Sequence, residues 1–325
     1  MIVLGIESTA HTFGMGIIDC KNKKILFNDK IQFKNDVGMD LRKLTEFHIK
    51  HFDEILTKTK TFLKSINKNF NDLDLISFSI GPGIGNSLKI GALVAKTLAL
   101  KYNLKIVGVN HIKAHLEIGK MLTNLNDPLF LYVSGVNTQI IAKDESNKYK
   151  IYGETEDIGL GNLFDSFARY AGMDFPGGPI IEQTALKSNN FIKLPYTIKG
   201  MNVSLAGLYT NLKQKFDNKI PIEDLCFSLQ ENVFAMMMEI VERAMAYTGK
   251  KEFLIVGGVA SNKRITQMAN QMCNERNCIY SSFSMEFAMD NAAMIAWQGF
   301  IDNKKSKKDI KNLKPMPYIT IESNV

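Results

Sequence analysis

Short apolar runs separated by polar turns open the chain and predict three β-strands. These strands cover residues 2–8, 14–19 and 24–33. Apolar residues then recur at three- and four-residue spacing, which predicts helices that alternate with buried strands. The other predicted elements of this half are a helix over 40–66, a strand over 75–80, a helix over 87–102, a strand over 105–109 and a helix directly after it.

The same pattern begins again after Asp127 and Pro128. Strands are predicted over 129–135, 139–142, 148–154, 253–256 and 279–282. Helices are predicted over 162–172, 222–248 and 290–302, and from the end of the turn at 264 to about 275. Two halves that open alike suggest an internal duplication. We predict an α/β protein with largely parallel sheets and two halves, 1–125 and 126–300, around a shared cleft. The lysine-rich residues 303–314 are expected to present a solvated surface, and the lysine-rich tail over 301–325 is expected to pack back on or near the N-terminal half.

Composition narrows the class of protein. With 325 residues, 45% hydrophobic and 22% charged, the chain is expected to be a soluble globular protein. We expect no membrane span, because no long apolar run lacks charge, and no signal peptide, because the N-terminal apolar run is short and lacks a basic start. The irregular spacing of the four cysteines indicates reduced thiols and a cytoplasmic protein. The net charge of +7 permits nucleic-acid binding without requiring it.

Two histidines supply the first candidate chemistry. His111 and His115 are four residues apart on a predicted helix, so they share one face, and Asn110 precedes them where an N-cap belongs. The positive helix end is expected to keep His111 neutral, which is the form that binds metal. At this common spacing, an isolated pair favours ordinary core or surface histidines over a metal site. A second pair, His48 and His51, is interpreted as surface residues of a long polar helix.

Several turns could hold phosphate groups. Glycine turns over 81–85 and 257–261 each follow a predicted strand and precede a helix, where backbone amides can approach an anion. Hydroxyl-bearing turns over 8–9 and 134–138 open the two halves. Singly these turns are weak signals, and none matches the common nucleotide-binding fingerprints. Together they are typical of an actin-like or Hsp70-like ATPase core, in which one hairpin from each half grips the phosphates.

A series of co-linear motifs makes the resemblance specific. They are GIESTAHT (5–12), SIGPGIG (79–85), GVNHIKAHLEIG (108–119), LYVSGVNTQ (131–139), GETEDIGLGN (153–162), FPGGP (175–179), LPY (194–196), KGM (199–201), VGGVASN (256–262) and MDNAAMIA (289–296). The chain resembles the tRNA N6-adenosine threonylcarbamoyltransferase family, the TsaD/Kae proteins formerly called O-sialoglycoprotein endopeptidases. The residues of these motifs are more similar to the archaeal and eukaryotic branch of the family than to the bacterial branch.

The resemblance implies an actin-like fold and one Fe(2+) or Zn(2+) held by His111, His115, Tyr132 and Asp290. Without the resemblance, Asp290 is interpreted as a candidate N-cap of the last helix. Tyr132 is then interpreted as a core tyrosine whose hydroxyl has a hydrogen-bond partner. The resemblance also implies contacts with an ATP- or AMP-type nucleotide. The implied nucleotide contacts are Tyr132, Val133, Ser134, Gly135, Val136, Asp165, Gly178, Glu182 and Asn262.

The implied reaction is transfer of the threonylcarbamoyl group from threonylcarbamoyl-AMP to N6 of the adenosine at position 37, in tRNAs that read ANN codons. The metal would hold and polarise the intermediate. The implied partners are tRNA, KEOPS subunits that include a small atypical kinase, and an upstream threonylcarbamoyl-AMP synthase. No membrane is implied. Alternatives are an ATP-binding scaffold and a small-metabolite kinase on the same fold. A metalloprotease is disfavoured because His111 is not followed by the glutamate of HExxH.

Five positions depart from the family pattern. Val136 and Ala292 replace glycines, Leu205 replaces a phenylalanine, Ala206 replaces a serine, and Lys89 replaces an arginine. A valine would be strained if the glycine position has a positive φ, so we expect a turn that tolerates Val136.

Overall fold

The computed structural model describes residues 1–33, 40–306 and 310–323. It divides into two compact units, one containing Met1–Leu122 and Met289–Val325, the other Thr123–Ala288. The sequence placed residues 289–300 in the C-terminal half, whereas the chain returns to the first unit at Met289. Parts of the expected tail, 307–309 and 324–325, lie outside the described residues.

The secondary structure follows the α/β alternation. The strands are β1 (Ile2–Glu7), β2 (Thr12–Asp19), β3 (Lys24–Gln32), β4 (Leu75–Gly81), β5 (Lys105–Asn110), β6 (Leu129–Val133), β7 (Thr138–Lys143), β8 (Tyr149–Glu154), β9 (Ile198–Lys199), β10 (Asn202–Val203), β11 (Glu252–Val256) and β12 (Ile279–Ser281). The helices are α1 (Leu41–Ser65), α2 (Gly85–Lys101), α3 (His111–Thr123), α4 (Leu160–Tyr170), α5 (Gly177–Ala185), α6 (Ala206–Asp217), α7 (Ile222–Thr248), α8 (Lys263–Glu275), α9 (Met285–Ala288) and α10 (Ala292–Ile301).

The two large sheets share one topology. In the first unit the order is β3-β2-β1-β4-β5, and in the second it is β12-β11-β6-β7-β8. Each begins with three antiparallel strands joined by tight turns and continues with two parallel strands reached through helices. The repeated topology agrees with the predicted duplication. The prediction of largely parallel sheets was wrong, because short hairpins can join only antiparallel strands.

Local signals explain several helix ends. Asp40 caps α1 by accepting from the backbone N–H groups of Arg42 and Lys43. The long α7 ends at Gly249, whose φ of +69° suits a glycine. The short helix α6 had no counterpart among the predicted elements. Among the described residues, no helix combines the length and apolar content needed to cross a membrane.

The described part of the C-terminal tail packs against the first unit. Ile319 and Ile321 are buried, although Tyr318, which directly precedes Ile319, is almost fully exposed. The Met316 N–H donates to the Ile80 carbonyl at 2.7 Å, and Asn110 Nδ2 donates to the Thr320 carbonyl at 2.9 Å. Burial of two isoleucines and these bonds therefore hold the end of the tail, beyond the lysine-rich residues 303–314, on the first unit.

Candidate functional site

The histidine pair lies on α3 because β5 ends at Asn110 and the helix starts at the next residue. Asn110 Oδ1 accepts from the N–H of Ile112 at 2.9 Å and of Lys113 at 3.2 Å, which confirms the predicted N-cap. The imidazoles of His111 and His115 face one another nearly at right angles, with centroids 4.7 Å apart. Both side chains are buried, so the helix presents them to the interior of the first unit.

Asp290 completes a cluster of three. Its Oδ1 lies 3.2 Å from His115 Nε2 and 3.4 Å from His111 Nε2. Asp290 is not the N-cap of α10, because Asn291 has this role and accepts from the Met294 N–H at 2.9 Å. The Asp290 carboxylate is therefore directed at the two imidazoles. All three residues belong to the first unit, whereas the sequence assigned Asp290 to the second half.

The donor set of this cluster suits a metal ion. Two imidazole nitrogens and one carboxylate oxygen lie within 4.8 Å of one another. Such mixed nitrogen and oxygen ligands fit Zn²⁺ or Fe²⁺ and leave positions for substrate. Tyr132, the fourth expected ligand, lies on β6 in the second unit and is 3% exposed. Among the described residues, this is the only cluster of three or more His, Cys, Asp or Glu side chains with such geometry.

The carboxylates around His111 change its protonation. Burial by itself would lower the pKa of His111, but Glu7 and Asp290 outweigh burial and raise it to about 10. Burial dominates at His115 and lowers its pKa. Burial would raise the pKa of Asp290, yet the bonds to both histidines hold it well below the usual range. With protein groups alone around it, His111 is thus a cation, and the expectation of a neutral His111 was wrong.

Glu7 is a neighbour of the cluster to which the sequence assigned no role. Its side chain is fully buried, and its Oε2 lies 3.0 Å from His111 Nδ1. A charged residue at the end of an apolar strand was the available signal. Lys30 is a second such neighbour, and its Nζ donates to the Asp290 backbone carbonyl at 2.7 Å. The lysine comes from β3, about 260 residues away in sequence, so no local pattern could reveal it.

The expected nucleotide contacts Tyr132, Val133, Ser134, Gly135 and Val136 run from the end of β6 into the turn before β7. The Ser134 N–H donates to the Asn137 carbonyl at 2.8 Å, which closes the turn. The Gly135 carbonyl accepts from the Asn162 N–H at 2.9 Å. The first turn of α4 therefore holds the turn after β6 in place through this hydrogen bond.

The other expected nucleotide contacts lie on helices of the same unit. Asp165 Oδ1 accepts from the Gly177 N–H at 2.8 Å, which joins α4 to the start of α5. Glu182 Oε1 accepts from the Lys263 N–H at 2.8 Å, and Asn262 caps α8 beside it. These contacts bring Glu182 and Asn262 together. Gly178 lies in the first turn of α5, where a Cβ would meet only Phe164 at 3.9 Å.

The second histidine pair is not a surface pair. His48 is fully buried on α1, and its ring packs edge-on against Phe13 at 5.8 Å between centroids. His51 is partly exposed, and its Nδ1 lies 3.9 Å from Glu54. The interpretation of His48 as a surface residue was therefore wrong, because α1 turns this face onto the sheet.

Known proteins match this chain over most of its length. The family model for tRNA N6-adenosine threonylcarbamoyltransferase, TsaD, matches residues 45–297. The protein of that name from Nanoarchaeum equitans is 47% identical over 318 residues and covers 98% of both chains. The chain belongs to this family. A similar protein of the same name from Thermococcus sibiricus is 45% identical and covers 92% of this chain and 91% of its own.

Longer relatives of this threonylcarbamoyltransferase family member also match. A probable bifunctional tRNA threonylcarbamoyladenosine biosynthesis protein from Methanococcus maripaludis is 45% identical over 318 residues. The match covers 97% of this chain, and the chain spans only 57% of that protein's length.

Solved structures with low sequence identity share the fold. The HypF protein of T. kodakarensis has a TM-score of 0.63 at 15% identity and covers 92% of this chain and 47% of its own. The activator of the 2-hydroxyisocaproyl-CoA dehydratase from Clostridium difficile has a TM-score of 0.55 at 12% identity, with 94% and 96% covered. The threonylcarbamoyltransferase family member has the predicted actin-like, Hsp70-like ATPase fold.

The departures from the family pattern fit this structure. Among the described residues, the non-glycine residues with positive φ do not include Val136, so the valine is not strained. Its side chain is 70% exposed beside the turn. Ala292, buried at the start of α10, is likewise absent from those positive-φ residues. Neither substitution therefore disrupts the backbone around the expected contacts.

Proposed function

We propose that this family member transfers the threonylcarbamoyl group from threonylcarbamoyl-AMP to N6 of the adenosine at position 37, in tRNAs that read ANN codons. Family membership supports the transferase activity. The observation that carries the metal-dependent form of the proposal is the convergence of the buried His111 and His115 on the partly exposed Asp290. In this reaction the N6 amine attacks the carbamoyl carbon, the bond to the phosphate oxygen breaks, and AMP leaves.

The proposed metal is Fe²⁺ or Zn²⁺, held by His111, His115 and Asp290, with Tyr132 as the fourth ligand. A bound ion would act as a Lewis acid that polarises the acyl group and fixes its geometry. The protein groups aim the ligands: Asn110 caps α3, and Asn291 caps α10 so that Asp290 remains directed at the imidazoles.

The AMP portion is proposed to lie in the second unit. The proposed contacts are Tyr132, Val133, Ser134, Gly135, Val136, Asp165, Gly178, Glu182 and Asn262. The tight turn after β6 and the bond between Glu182 and the start of α8 support a preformed surface there. The absence of a side chain at Gly178 leaves room for a ring or ribose.

The proposed partners are tRNA, an upstream threonylcarbamoyl-AMP synthase, and KEOPS subunits that include a small atypical kinase. Support comes from two relatives, one named a probable bifunctional tRNA threonylcarbamoyladenosine biosynthesis protein and the other a tRNA N6-adenosine threonylcarbamoyltransferase. We propose a cytoplasmic site of action because the proposed substrate is tRNA.

Reconstitution tests the function directly. Purified tRNA, threonine, bicarbonate and ATP are combined with the synthase, the partner subunits, and either wild type or the His115→Ala variant. Wild type should form modified adenosine, and His115→Ala should lose at least about tenfold of the rate because a ligand is removed. His51→Ala, on the partly exposed face of α1, is the matched control and should resemble wild type.

The outcomes separate the parts of the proposal. Equal modification by wild type and His115→Ala would show that the metal is not involved. Consumption of ATP without modified adenosine would favour a small-metabolite kinase or a scaffold. Metal analysis gives a cheaper check, because wild type supplied with Fe²⁺ or Zn²⁺ should retain about one ion per chain and His115→Ala should not.

A further inference from the structure

The Glu7 carboxylate is buried, and both of its oxygens have defined contacts. Oε1 accepts from the Thr9 backbone N–H at 2.7 Å and from the Thr9 hydroxyl. Oε2 lies 3.0 Å from His111 Nδ1. Because a carboxylate can only accept, the contact with Oε2 requires a proton on His111 Nδ1. Thr9 Oγ1, at 3.4 Å from the same nitrogen, is compatible with that proton.

That proton decides which nitrogen of His111 can bind a metal. With Nδ1 donating to Glu7, the remaining nitrogen is Nε2, which faces Asp290 Oδ1 at 3.4 Å. His115 presents Nε2 to the same oxygen at 3.2 Å. We propose that Glu7 is a positioning residue for the metal centre, which holds His111 in the tautomer and ring orientation that make Nε2 the ligand. This inference rests on the metal-dependent function proposed above.

Thr9 makes the effect of a substitution at Glu7 specific. The Thr9 backbone N–H can only donate, so in Glu7→Gln the side-chain oxygen must turn toward Thr9. The amide NH₂ then faces His111 Nδ1, which must accept, and the imidazole proton moves to Nε2. The opposite amide orientation places NH₂ against the Thr9 N–H, two donors together. In the first arrangement the proton on Nε2 prevents that nitrogen from binding the metal, and in the second two buried donors face one another, so this near-isosteric side chain weakens the metal centre in either case.

The experiment measures metal affinity in the full chain. Zn²⁺ dissociation constants are obtained by competition with a chelator for wild type, Glu7→Gln and the control Glu46→Gln, whose side chain is 62% exposed on α1. Loss of an outer-shell partner typically weakens metal binding by about 10–100-fold, and we expect this for Glu7→Gln. The visible spectrum of bound Co²⁺ should change with Glu7→Gln and not with Glu46→Gln.

A second measurement does not depend on a variant. In nitrogen-15 spectra of the Zn²⁺-loaded wild type, His111 should carry its proton on Nδ1 and bind through Nε2. Binding through Nδ1 would overturn the inference even if Glu7→Gln fails to fold.

The remaining outcomes are also decisive. Zn²⁺ affinity and a Co²⁺ spectrum in Glu7→Gln that equal those of wild type would overturn the role of Glu7 alone. If wild type binds neither Zn²⁺, Fe²⁺ nor Co²⁺, the metal centre and the role of Glu7 both fail.

Discussion

At the scale of single residues, His111 and His115 differ in protonation although they share one helix face. Two carboxylates, Glu7 and Asp290, approach His111 and raise its pKa to about 10. At His115 burial outweighs the bond to Asp290 and lowers the pKa. At neutral pH the cluster therefore contains one imidazolium, one neutral imidazole and one carboxylate. A metal ion must displace the proton of the imidazolium.

Proton release should accompany metal binding. At pH 7.5 a histidine with an ordinary pKa is protonated in only about 0.1 of the molecules, whereas the raised pKa of His111 keeps it protonated. Zn²⁺ binding should thus release about one proton, and apparent affinity should rise about tenfold per pH unit from pH 7 toward the pKa of His111. Calorimetry in two buffers of different ionisation enthalpy counts the protons. Release near zero would contradict the assignment of the charge.

His48 should make the protein sensitive to acid. Burial lowers its pKa to about 4, although the nearby His11 backbone and Glu7 partly oppose this effect. A histidine with a folded pKa below its unfolded pKa binds fewer protons when folded, so stability falls as pH drops from about 6.5 to about 4. In His48→Leu this pH-dependent decrease in the free energy of unfolding should be smaller by up to about 3 kcal/mol at pH 4. Denaturant unfolding at pH 7 and pH 4 measures the difference.

His51→Leu is the matched control for His48, since it changes a partly exposed histidine of the same helix. The free energy of unfolding of this control should follow the pH dependence of wild type. A His48→Leu variant with an unchanged pH dependence would contradict the burial argument.

At the scale of elements, glycines in the sheet allow α10 to lie directly on it. A Cβ at Gly5 would stand 2.2 Å from the Ala292 carbonyl, and a Cβ at Gly16 would stand 2.5 Å from the Ala293 nitrogen. Asn28 on β3 accepts from the N–H groups of both alanines at 3.2 Å. Because Asp290 precedes α10 directly, this close packing also places the third member of the cluster.

Gly16→Ala should disturb both the fold and the metal centre. The added methyl collides with helix backbone, which cannot move like the end of a flexible side chain, so we expect a loss of about 1–3 kcal/mol in unfolding free energy. Metal affinity should fall as α10 and Asp290 shift. Denaturant unfolding and Zn²⁺ competition check the two effects.

Gly207→Ala in α6 provides the comparison, because a Cβ there meets nothing within 4 Å. This substitution should leave metal affinity unchanged and stabilise the helix by up to about 1 kcal/mol. Should Gly16→Ala behave in the same way, close packing would not be what places Asp290.

At the scale of the whole molecule, the chain crosses from one unit to the other and back. The first unit contains His111, His115 and Asp290, and the second contains the proposed nucleotide contacts. Each unit has its own mixed sheet and its own buried core. Metal binding by the three-residue cluster and nucleotide binding should therefore be separable by substitution.

Gly178→Val and His115→Ala should each weaken the binding of a different ligand. The valine adds bulk at a position with space, so it should weaken AMP binding at least about tenfold and leave Zn²⁺ affinity within about twofold. His115→Ala should abolish Zn²⁺ binding and leave AMP affinity unchanged. Calorimetric titrations of both ligands test this. Unchanged AMP binding by Gly178→Val would remove Gly178 from the proposed nucleotide contacts.

Much of the fold was predictable because the local patterns are strong. The α7 helix has the predicted bounds, Ile222–Thr248, and the Asn110 cap was visible from its place between a strand and a helix. The helix α6 was not predicted, and the parallel character of the sheets was overestimated. The shared face of His111 and His115 follows from their spacing, and the place of Asp290 beside them was expected only from the family resemblance. Its distances to the two imidazoles required the fold.

The sequence by itself determined the family, the repeated order of elements and the shared face of the histidines, because these depend on motif order and on local periodicity. Only the tertiary structure decided the distances around the histidines and the neighbours Glu7 and Lys30. Strand pairing and close helix packing bring Glu7 to His111, Asp290 to both histidines, and Lys30 to the Asp290 carbonyl. Charge and tautomer depend on distance in space and on burial, so no pattern along the chain could specify them.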